Sequence, residues 1–243
     1  MSEPQLEPFP EDWQRALAIV AHPDDLEYGA ASAIAAWTAA GKQVVYALVT
    51  SGEAGIDGME PTEAGPLREQ EERASAAVVG VDTVEFLRHP DGLIEYGLPL
   101  RRDLAAVIRR HRPDLLVTTN FDLTWPGGSS LNMADHRNVG LATIDAARDA
   151  GNRWVFGDLL TEGLEPWNGV RRVAVSASPR PTHAVEVTDT IDRGIASLKE
   201  HRAYLAGLGD NATDPAPFLR SGAERVAPRF GGRLAVAFEV YDC

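Results

Sequence analysis

The chain has 243 residues, of which 44% are hydrophobic and 24% charged, a composition typical of a folded globular protein. With 23 basic against 36 acidic residues, its formal net charge of −13 would repel nucleic-acid backbones and anionic membrane surfaces. The one cysteine, Cys243, excludes an intrachain disulfide and a cysteine-based zinc site, so any metal ligands must be His, Asp or Glu.

Short apolar segments alternate along the chain with longer helical patterns, as they do in βαβ units. We therefore predict an α/β fold, with a Rossmann-like, mostly parallel sheet and helices on both faces. The helical patterns end at glycines or begin near prolines and lie around residues 34–40, 68–79, 99–108, 135–150 and 191–205. The predicted strands are residues 17–21, 44–49, 84–87, 115–117, 173–175 and 184–187.

We expect a single domain over residues 1–243, with a core at about 16–206 and an irregular tail at 207–243. Within that tail, residues 211–232 are punctuated by prolines and glycines, which usually mark turns and loops. Residues 234–241 are predicted to form an edge strand at most.

Charged residues follow the first predicted strand directly, at the carboxyl end where open α/β sheets bind ligands. His22, Asp24 and Asp25 are costly beside a buried strand unless they are paired or bind something. Imidazole and carboxylate suit zinc, but a catalytic zinc site usually has three protein ligands. The best third ligand is His136, which follows the fourth strand and a long loop. Taken singly, the aspartates could cap a helix and the histidines could be structural, but their combination at one sheet edge favours a metal site.

The run AHPDDLEYG at residues 21–29 resembles the signature of the LmbE-like, or PIG-L, family of zinc-dependent de-N-acetylases. The resemblance covers roughly residues 16–206. Further matches follow in chain order: Thr50-Ser51-Gly52-Glu53, Arg68 with Glu71, Pro90-Asp91-Gly92, Asp135-His136-Arg137, and Val187-Thr188-Asp189 followed by Lys199 and His201.

This resemblance implies that three residues, His22, Asp25 and His136, ligate one zinc ion. Asp24 is then the general base that takes a proton from the zinc-bound water, whose pKa zinc lowers to about 7. The implied reaction removes an N-acetyl or other N-acyl group from a small polar substrate, such as an amino sugar, and releases a free amine. Two further residues, Arg68 and Asp91, fall where the family places substrate contacts. A surface ion pair and a turn aspartate explain those two equally well.

One departure from the family pattern affects the expected acid. The family usually reads His-Pro-Asp-His in its second metal motif, and the first histidine protonates the leaving group. Here Met133 stands in that place, and its thioether cannot donate a proton. Loss of such a group typically costs about 10²–10⁴ in rate.

Several groups could replace the missing acid. We prefer Asp24, once protonated, because it needs no extra residue. His183 and His89 could lie near the carboxyl end of the sheet, and Ser130 and Asn132 could donate hydrogen bonds to an oxyanion. We interpret His111 and His201 more simply, as histidines at a helix end or on the surface.

Other functions stay open at this point. An amidase that cuts a larger amide is one, with the Gly-, Ser- and Pro-rich loop 121–134 shaping a roomier pocket. A binding protein that lost catalysis together with the acid histidine is another. A nucleotide-binding domain is disfavoured because the first turn lacks a Gly-rich motif.

The expected partner is a small N-acyl molecule rather than a nucleic acid or a membrane, and a homo-oligomer is compatible with the sequence. No stretch reaches the roughly 20 apolar residues of a membrane span. The acidic, proline-rich N-terminus also lacks the basic and apolar regions of a signal peptide. We therefore expect a cytoplasmic protein.

Overall fold

One mixed sheet organises the chain in a computed structural model that describes residues 4–209 and 213–243. Among these residues the sheet has eight strands. In chain order they are β1 (Glu7–Pro8), β2 (Arg15–Val20), β3 (Gln43–Leu48), β4 (Thr83–Phe86), β5 (Leu115–Thr119), β6 (Arg172–Ser176), β7 (His183–Glu186) and β8 (Ala235–Asp242). Their spatial order is β1-β7-β8-β6-β5-β2-β3-β4, and every neighbouring pair is parallel except those that β8 makes with β6 and β7. All six predicted strands are present.

Helices cover both faces of this sheet, as predicted. They are α1 (Asp25–Gly29), α2 (Ala31–Ala39), α3 (Pro61–Val78), α4 (Leu98–His111), α5 (Ala134–Asp149), α6 (Ile191–Leu198), α7 (Arg202–Gly207) and α8 (Pro215–Val226). Successive side chains of β2 point to opposite faces, so Ala18 and Val20 join one apolar cluster while Leu17 and Ile19 join the other. The first cluster packs against α2 and α6, and the second packs against α4 and α5. A strand buried on both sides explains why 17–21 is an unbroken apolar run.

The chain order reverses at β2, which places a crevice at its carboxyl end. From β2 the chain goes to β3 and β4 on one side of the sheet, and β5 returns to pair with β2 on its other side. Ligands of open α/β sheets bind outside the carboxyl ends of the strands at such a switch point. Residues that follow β2 and β5 therefore face the same crevice.

The prediction of an irregular tail was wrong in two respects. Residues 215–226 form the helix α8, whose prolines at 215 and 217 lie in its first turn, where a missing N–H costs nothing. The side chain of Asp214 caps this helix by accepting a hydrogen bond from the N–H of Ala216. Strand β8 is not an edge strand, since it lies between β6 and β7. Because prolines fit the first turn of a helix as well as a loop, their presence does not distinguish the two.

The predicted last helix is two helices, α6 and α7, with a break at residues 199–201. The carboxylate of Glu71, on α3, accepts hydrogen bonds from the backbone N–H groups of Ala203 and Tyr204 at 2.6 and 3.4 Å. A side chain from another helix thus supplies the cap for α7, which local sequence cannot reveal. In the described part of the chain, no helix is long and apolar enough to cross a membrane.

Gly194 tests the packing of α6 on α2. A Cβ atom added there would lie 2.1 Å from the Ser32 hydroxyl and 2.9 Å from the Ser32 backbone nitrogen. We predict that Gly194→Ala lowers the free energy of unfolding by about 1–3 kcal/mol in urea titrations, because the two helices must move apart. The matched control is Gly222→Ala in α8, where the added Cβ would meet only an Arg225 nitrogen at 3.8 Å. Gly222→Ala should be neutral or stabilising by up to about 1 kcal/mol, and equal effects of the two variants would contradict the packing described.

Candidate metal centre and catalytic cleft

Three predicted ligands meet at the carboxyl ends of β2 and β5. His22 follows β2, Asp25 begins α1, and His136 lies in the first turn of α5. The Nδ1 atom of His22 is 3.2 Å from Nε2 of His136, and this Nε2 is 2.9 Å from Oδ1 of Asp25. The Asp25 carboxylate is also held by the backbone N–H groups of Ala21 and His22, at 3.1 and 2.9 Å. The structure therefore brings the three donor atoms together around one point.

The outer nitrogen of each histidine is held by a second group. Nδ1 of His136 lies 2.9 Å from the side-chain oxygen of Asn132, an acceptor that requires a proton on Nδ1. Nε2 of His22 lies 3.1 Å from the Asp91 carboxylate and 3.4 Å from that of Asp135. These contacts leave Nδ1 of His22 and Nε2 of His136 facing each other and the Asp25 carboxylate, where the two nitrogens can share a proton or bind a metal ion. Metal-bound histidines commonly have such outer partners.

This donor set fits a divalent metal ion. Nitrogen and oxygen ligand atoms of His22, Asp25 and His136 all lie within 4.8 Å of one another. Two imidazoles and one carboxylate are a common catalytic zinc set, which leaves a coordination position for water or substrate. Burial opposes charge on Asp25, yet the neighbouring histidines hold its pKa well below the usual range, so it is available as an anionic ligand.

Asp24 lies beside these ligands but makes no hydrogen bond or ion pair with either histidine in the described structure. Its backbone has a φ of 99°, a left-handed conformation that aspartate tolerates better than most residues. The Glu72 carboxylate accepts a hydrogen bond from the Asp24 N–H at 3.2 Å, which helps to hold that conformation. Burial raises the pKa of Asp24 to about 6, although the nearby Arg68 charge acts in the opposite direction. Its carboxylate lines the main cavity.

Arg68 fixes the loop that carries Asp24. Its guanidinium donates to the carbonyl oxygens of Pro23 and Gly52 at 2.5 and 3.0 Å and lies 3.4 Å from the Asp24 carboxylate. The side chain is buried and covers the ring of Tyr204 at 4.1 Å, so it is not the surface ion pair considered as an alternative. A Cβ on Gly52 would lie 2.3 Å from this guanidinium, which explains the glycine at that turn.

Arg68 and Asp91, the two predicted substrate contacts, both line the cavity. Asp91 also accepts a hydrogen bond from the Ala54 N–H at 2.8 Å and contacts the ligand His22. A substrate-binding role for Arg68 and Asp91 stays a prediction. Both residues also hold neighbouring loops in place, which the sequence did not indicate.

A second buried cluster, made of Glu27, Glu72 and His201, lies behind Asp24. All three side chains are inaccessible to solvent, and Nε2 of His201 is 3.7 Å from Glu27 and 3.5 Å from Glu72. The Ser75 hydroxyl donates to Glu27 at 2.6 Å. Because Glu72 holds the Asp24 backbone, this cluster supports the loop that carries Asp24 from the protein interior. The sequence analysis did not identify Glu72, whose only signal is its place beside Glu71 in a helix with one buried face.

Two expectations about acid substitutes and isolated histidines were wrong. Asn132 is buried with its amide group donating to two backbone carbonyls, so it cannot serve an oxyanion. His183 lies level with Ser176 at the carboxyl end of β6, because both residues pair with Phe238, but it is not among the residues that line the cavity. His201 is buried rather than on the surface. His89 follows β4 but is paired with the Asp103 carboxylate at 3.0 Å.

Met133 and Trp125 close the cleft on the side of the long loop. Met133 is the N-terminal cap residue of α5, is 47% exposed and lines the cavity. The Trp125 ring packs edge-on against His136 with 5.5 Å between ring centroids. The cavity that includes the three ligands has a volume of about 970 Å³. Loop 121–134 therefore does border the site, as expected of a binding loop.

Comparisons with known proteins identify one family. A family profile described as "PIG-L: GlcNAc-PI de-N-acetylase" matches residues 17–147. A diacetylchitobiose deacetylase from Thermococcus kodakarensis is 29% identical over 201 residues, which are 82% of this chain and 73% of the relative.

Two solved structures are similar over nearly the whole chain. An N,N'-diacetylchitobiose deacetylase from Pyrococcus horikoshii has a TM-score of 0.83 at 25% identity, covering 95% of this chain and 85% of its own. A 4-carboxy-2-hydroxymuconate hydratase from Pseudomonas putida KT2440 has a TM-score of 0.74 at 19% identity, covering 93% and 95%. This second likeness shows the fold alone. The same fold therefore occurs in proteins with different reactions, and the reaction must be argued from the site.

The buried His201 cluster predicts a pH dependence of stability. Burial lowers the pKa of His201, but the carboxylates of Glu27 and Glu72 outweigh burial and raise it to about 9. Burial together with the Glu27 charge also raises the pKa of Glu72. Both groups therefore bind protons more tightly in the folded state. For His201 this stabilisation is complete below its unfolded pKa of about 6.5 and is lost as the pH rises through about 9.

We predict that His201→Gln is less stable than wild type at pH 6.5 by about 1–3 kcal/mol, and that this gap narrows as the pH approaches 9. Denaturant titrations at several pH values measure it. His183→Gln is the control. The ion pair of His183 with Glu7 is long, at 3.8 Å between Nε2 and the carboxylate, and the Glu7 side chain is 81% exposed to solvent. A gap that stays constant or widens with pH would contradict the described pairing.

Proposed function

The chain belongs to the PIG-L (GlcNAc-PI de-N-acetylase) family, and we propose that it is a zinc-dependent hydrolase that removes an N-acetyl group from a small, polar, amino-sugar-containing substrate. Family membership confirms the resemblance seen in the sequence motifs. The reaction class, hydrolysis of a non-peptide C–N bond, agrees with the deacetylase names of the relatives. The observation that carries the proposal is the convergence of His22, Asp25 and His136 beside Asp24 in one cleft.

In this proposal His22, Asp25 and His136 hold the metal ion. When bound, a zinc ion would polarise the substrate carbonyl and make water acidic enough to ionise near neutral pH. The chain orients its donor atoms before the metal arrives. The Asn132 side chain and the carboxylates of Asp91 and Asp135 fix the two imidazole rings. Little reorganisation is then needed on binding.

Asp24 is the general base of the proposed reaction. Among the aspartates that line the cavity, Asp25 and Asp91 contact the histidine rings, whereas Asp24 contacts neither ring. Its carboxylate therefore remains available to accept a proton from the attacking water. Arg68 and Glu72 hold the loop, so the carboxylate stays in position during the reaction.

The same residue also supplies the proton to the leaving amine. Met133 occupies the place of the family's usual acid and cannot donate a proton. After accepting the proton of water, Asp24 is protonated beside the departing nitrogen and can transfer it. This route uses one buried carboxyl group twice.

One specific observation favours a second function. Because Met133 lines the cavity at the position of the missing acid, the chain could bind an N-acyl substrate without turning it over at a useful rate. Such a binding protein would keep the metal and the ligand but release no acetate. The cavity of about 970 Å³, which Trp125 borders, would also accommodate the larger substrate of an amidase.

The zinc content of variants distinguishes the residues that hold the metal from the general base. We predict about one zinc ion per chain in wild-type protein by plasma mass spectrometry, and at least a tenfold loss of zinc affinity in His22→Ala and His136→Ala. Asp24→Asn should keep its zinc, since asparagine also tolerates a left-handed backbone. Equal zinc content in all three variants would sink the assignment of ligands.

Acetate release tests the catalytic roles. N-acetylglucosamine and diacetylchitobiose are suitable substrates, and Asp24→Asn should lower kcat by at least about 10²-fold because the proton acceptor is lost. Met133→His should raise kcat about tenfold or more by restoring an acid. An unchanged rate in Asp24→Asn would refute the base. If the wild type binds these sugars but releases no acetate, while Met133→His is active, the protein is a binding protein instead.

A further inference from the structure

The cleft continues well beyond the metal centre. The same cavity that holds the three ligands extends beneath α8 into a part walled by small and apolar residues. We call this part the apolar compartment. Its walls are Ala177, Pro179 and Pro181 from the segment after β6, Ile191 from α6, Phe218, Leu219, Gly222, Ala223 and Val226 from α8, and Val236 and Ala237 from β8.

One stripe of α8 forms the roof of this compartment. Its lining residues recur at positions 218, 219, 222, 223 and 226, which is the spacing of a single helix face. Such a face normally packs into a filled core. Here Leu219 and Val226 are only half-buried, and Phe218 is 38% exposed although its ring packs edge-on against Tyr28 at 5.4 Å. Ala223 and Leu219 belong to one apolar cluster and Val226 packs against another, so the stripe lies partly on the core and partly along the cavity.

Gly222 lies at the centre of that stripe. A Cβ atom there would meet only an Arg225 nitrogen at 3.8 Å, so the position has room for a larger side chain. A glycine in the middle of a helix costs about 0.5–1 kcal/mol relative to alanine. Its presence here keeps the space beneath the helix open, at the point where a side chain would enter it.

The two ends of the cavity suit different parts of one molecule. The metal end is lined by His22, Asp24, Asp25, Asp91 and His136. The other end is mostly apolar, and the two charged side chains in its lining, Arg225 and Arg229, are basic rather than acidic. At about 970 Å³ the cavity lies near the upper limit of ligand pockets, which are about 300–1,000 Å³. A single sugar ring would leave most of it unfilled.

The relatives are deacetylases by name, so the group that is cut off is small. The larger apolar part must then belong to the amine side of the substrate. We propose that the substrate is amphiphilic, with an N-acetylated amino sugar at the metal centre and an apolar aglycone, aliphatic or aromatic, in the apolar compartment beneath α8. This inference rests on the proposed function and narrows its substrate class.

The compartment also lies outside the matched family region. The profile ends at residue 147, whereas α6, α8 and β8 all follow it. The metal ligands and Asp24 come from the matched region. Chemistry and choice of aglycone are thus encoded by different parts of the chain.

A pair of glycosides tests the proposal. The methyl and n-octyl glycosides of N-acetylglucosamine carry the same amide and differ in the apolar chain. Each buried CH₂ group is worth roughly a fourfold gain in binding. We expect kcat/KM for acetate release from the octyl glycoside, used below its micelle concentration, to exceed that from the methyl glycoside at least 30-fold. A ratio near 1 would overturn the proposal.

Gly222→Leu tests whether the compartment causes the preference. A leucine there would occupy the space beneath α8, so the octyl-to-methyl ratio should fall to about 3 or less. Ser221→Leu is the matched control, because it adds the same side chain to the neighbouring position, which does not line the cavity. That control should keep the wild-type ratio. An equal ratio in Gly222→Leu and Ser221→Leu, with both proteins folded by circular dichroism, would contradict the assignment.

Two further measurements, with an N-octanoyl substrate and by calorimetry, distinguish the alternatives. If N-octanoylglucosamine is cut faster than N-acetylglucosamine, the compartment holds the acyl chain and the proposal is wrong. If no substrate releases acetate, the proposed function fails, and calorimetry with the octyl glycoside then decides the inference alone. Binding at least 30-fold tighter to wild type and Ser221→Leu than to Gly222→Leu supports the apolar compartment as a binding site, and equal affinities refute it.

Discussion

The proposed metal site depends on the close approach of the imidazole rings of His22 and His136. His22 and His136 face each other with ring nitrogens 3.2 Å apart, and their outer nitrogens are already engaged by Asn132, Asp91 and Asp135. Two imidazole nitrogens at this distance must share a proton or bind a cation between them. The fold imposes the arrangement because β2 and β5 are neighbours whose carboxyl ends meet at the switch point of the sheet.

The sequence predicted the parts of the site that depend on strand ends. His22, Asp25 and His136 follow apolar strands, so a parallel sheet brings them to one edge without further information. It could not predict contacts that depend on the distance between remote segments. Glu72 and His201 meet only after α3 packs beside the break between α6 and α7. Asp91 and Asp135, which hold the outer nitrogen of His22, likewise lie far from it in the chain.

The C-terminal part was mispredicted for a local reason. Prolines 215 and 217 suggest a break, yet both fit the first turn of α8, and glycines 231 and 232 mark the turn that leads into β8. Helix α8 lines one end of the cleft. In the proposed function, the residues that would select the substrate there are the ones that motifs describe least well, because they follow the matched family region, which ends at residue 147.

Location of the bound metal tests the central claim most directly. Crystals of protein purified without added metal, measured on both sides of the zinc absorption edge, give the position of zinc independently of activity. The account predicts one anomalous peak between His22, Asp25 and His136, with ligand distances of about 2.0–2.2 Å. A peak at Glu27, Glu72 and His201 instead, or no peak at either cluster after soaking in zinc, would contradict it.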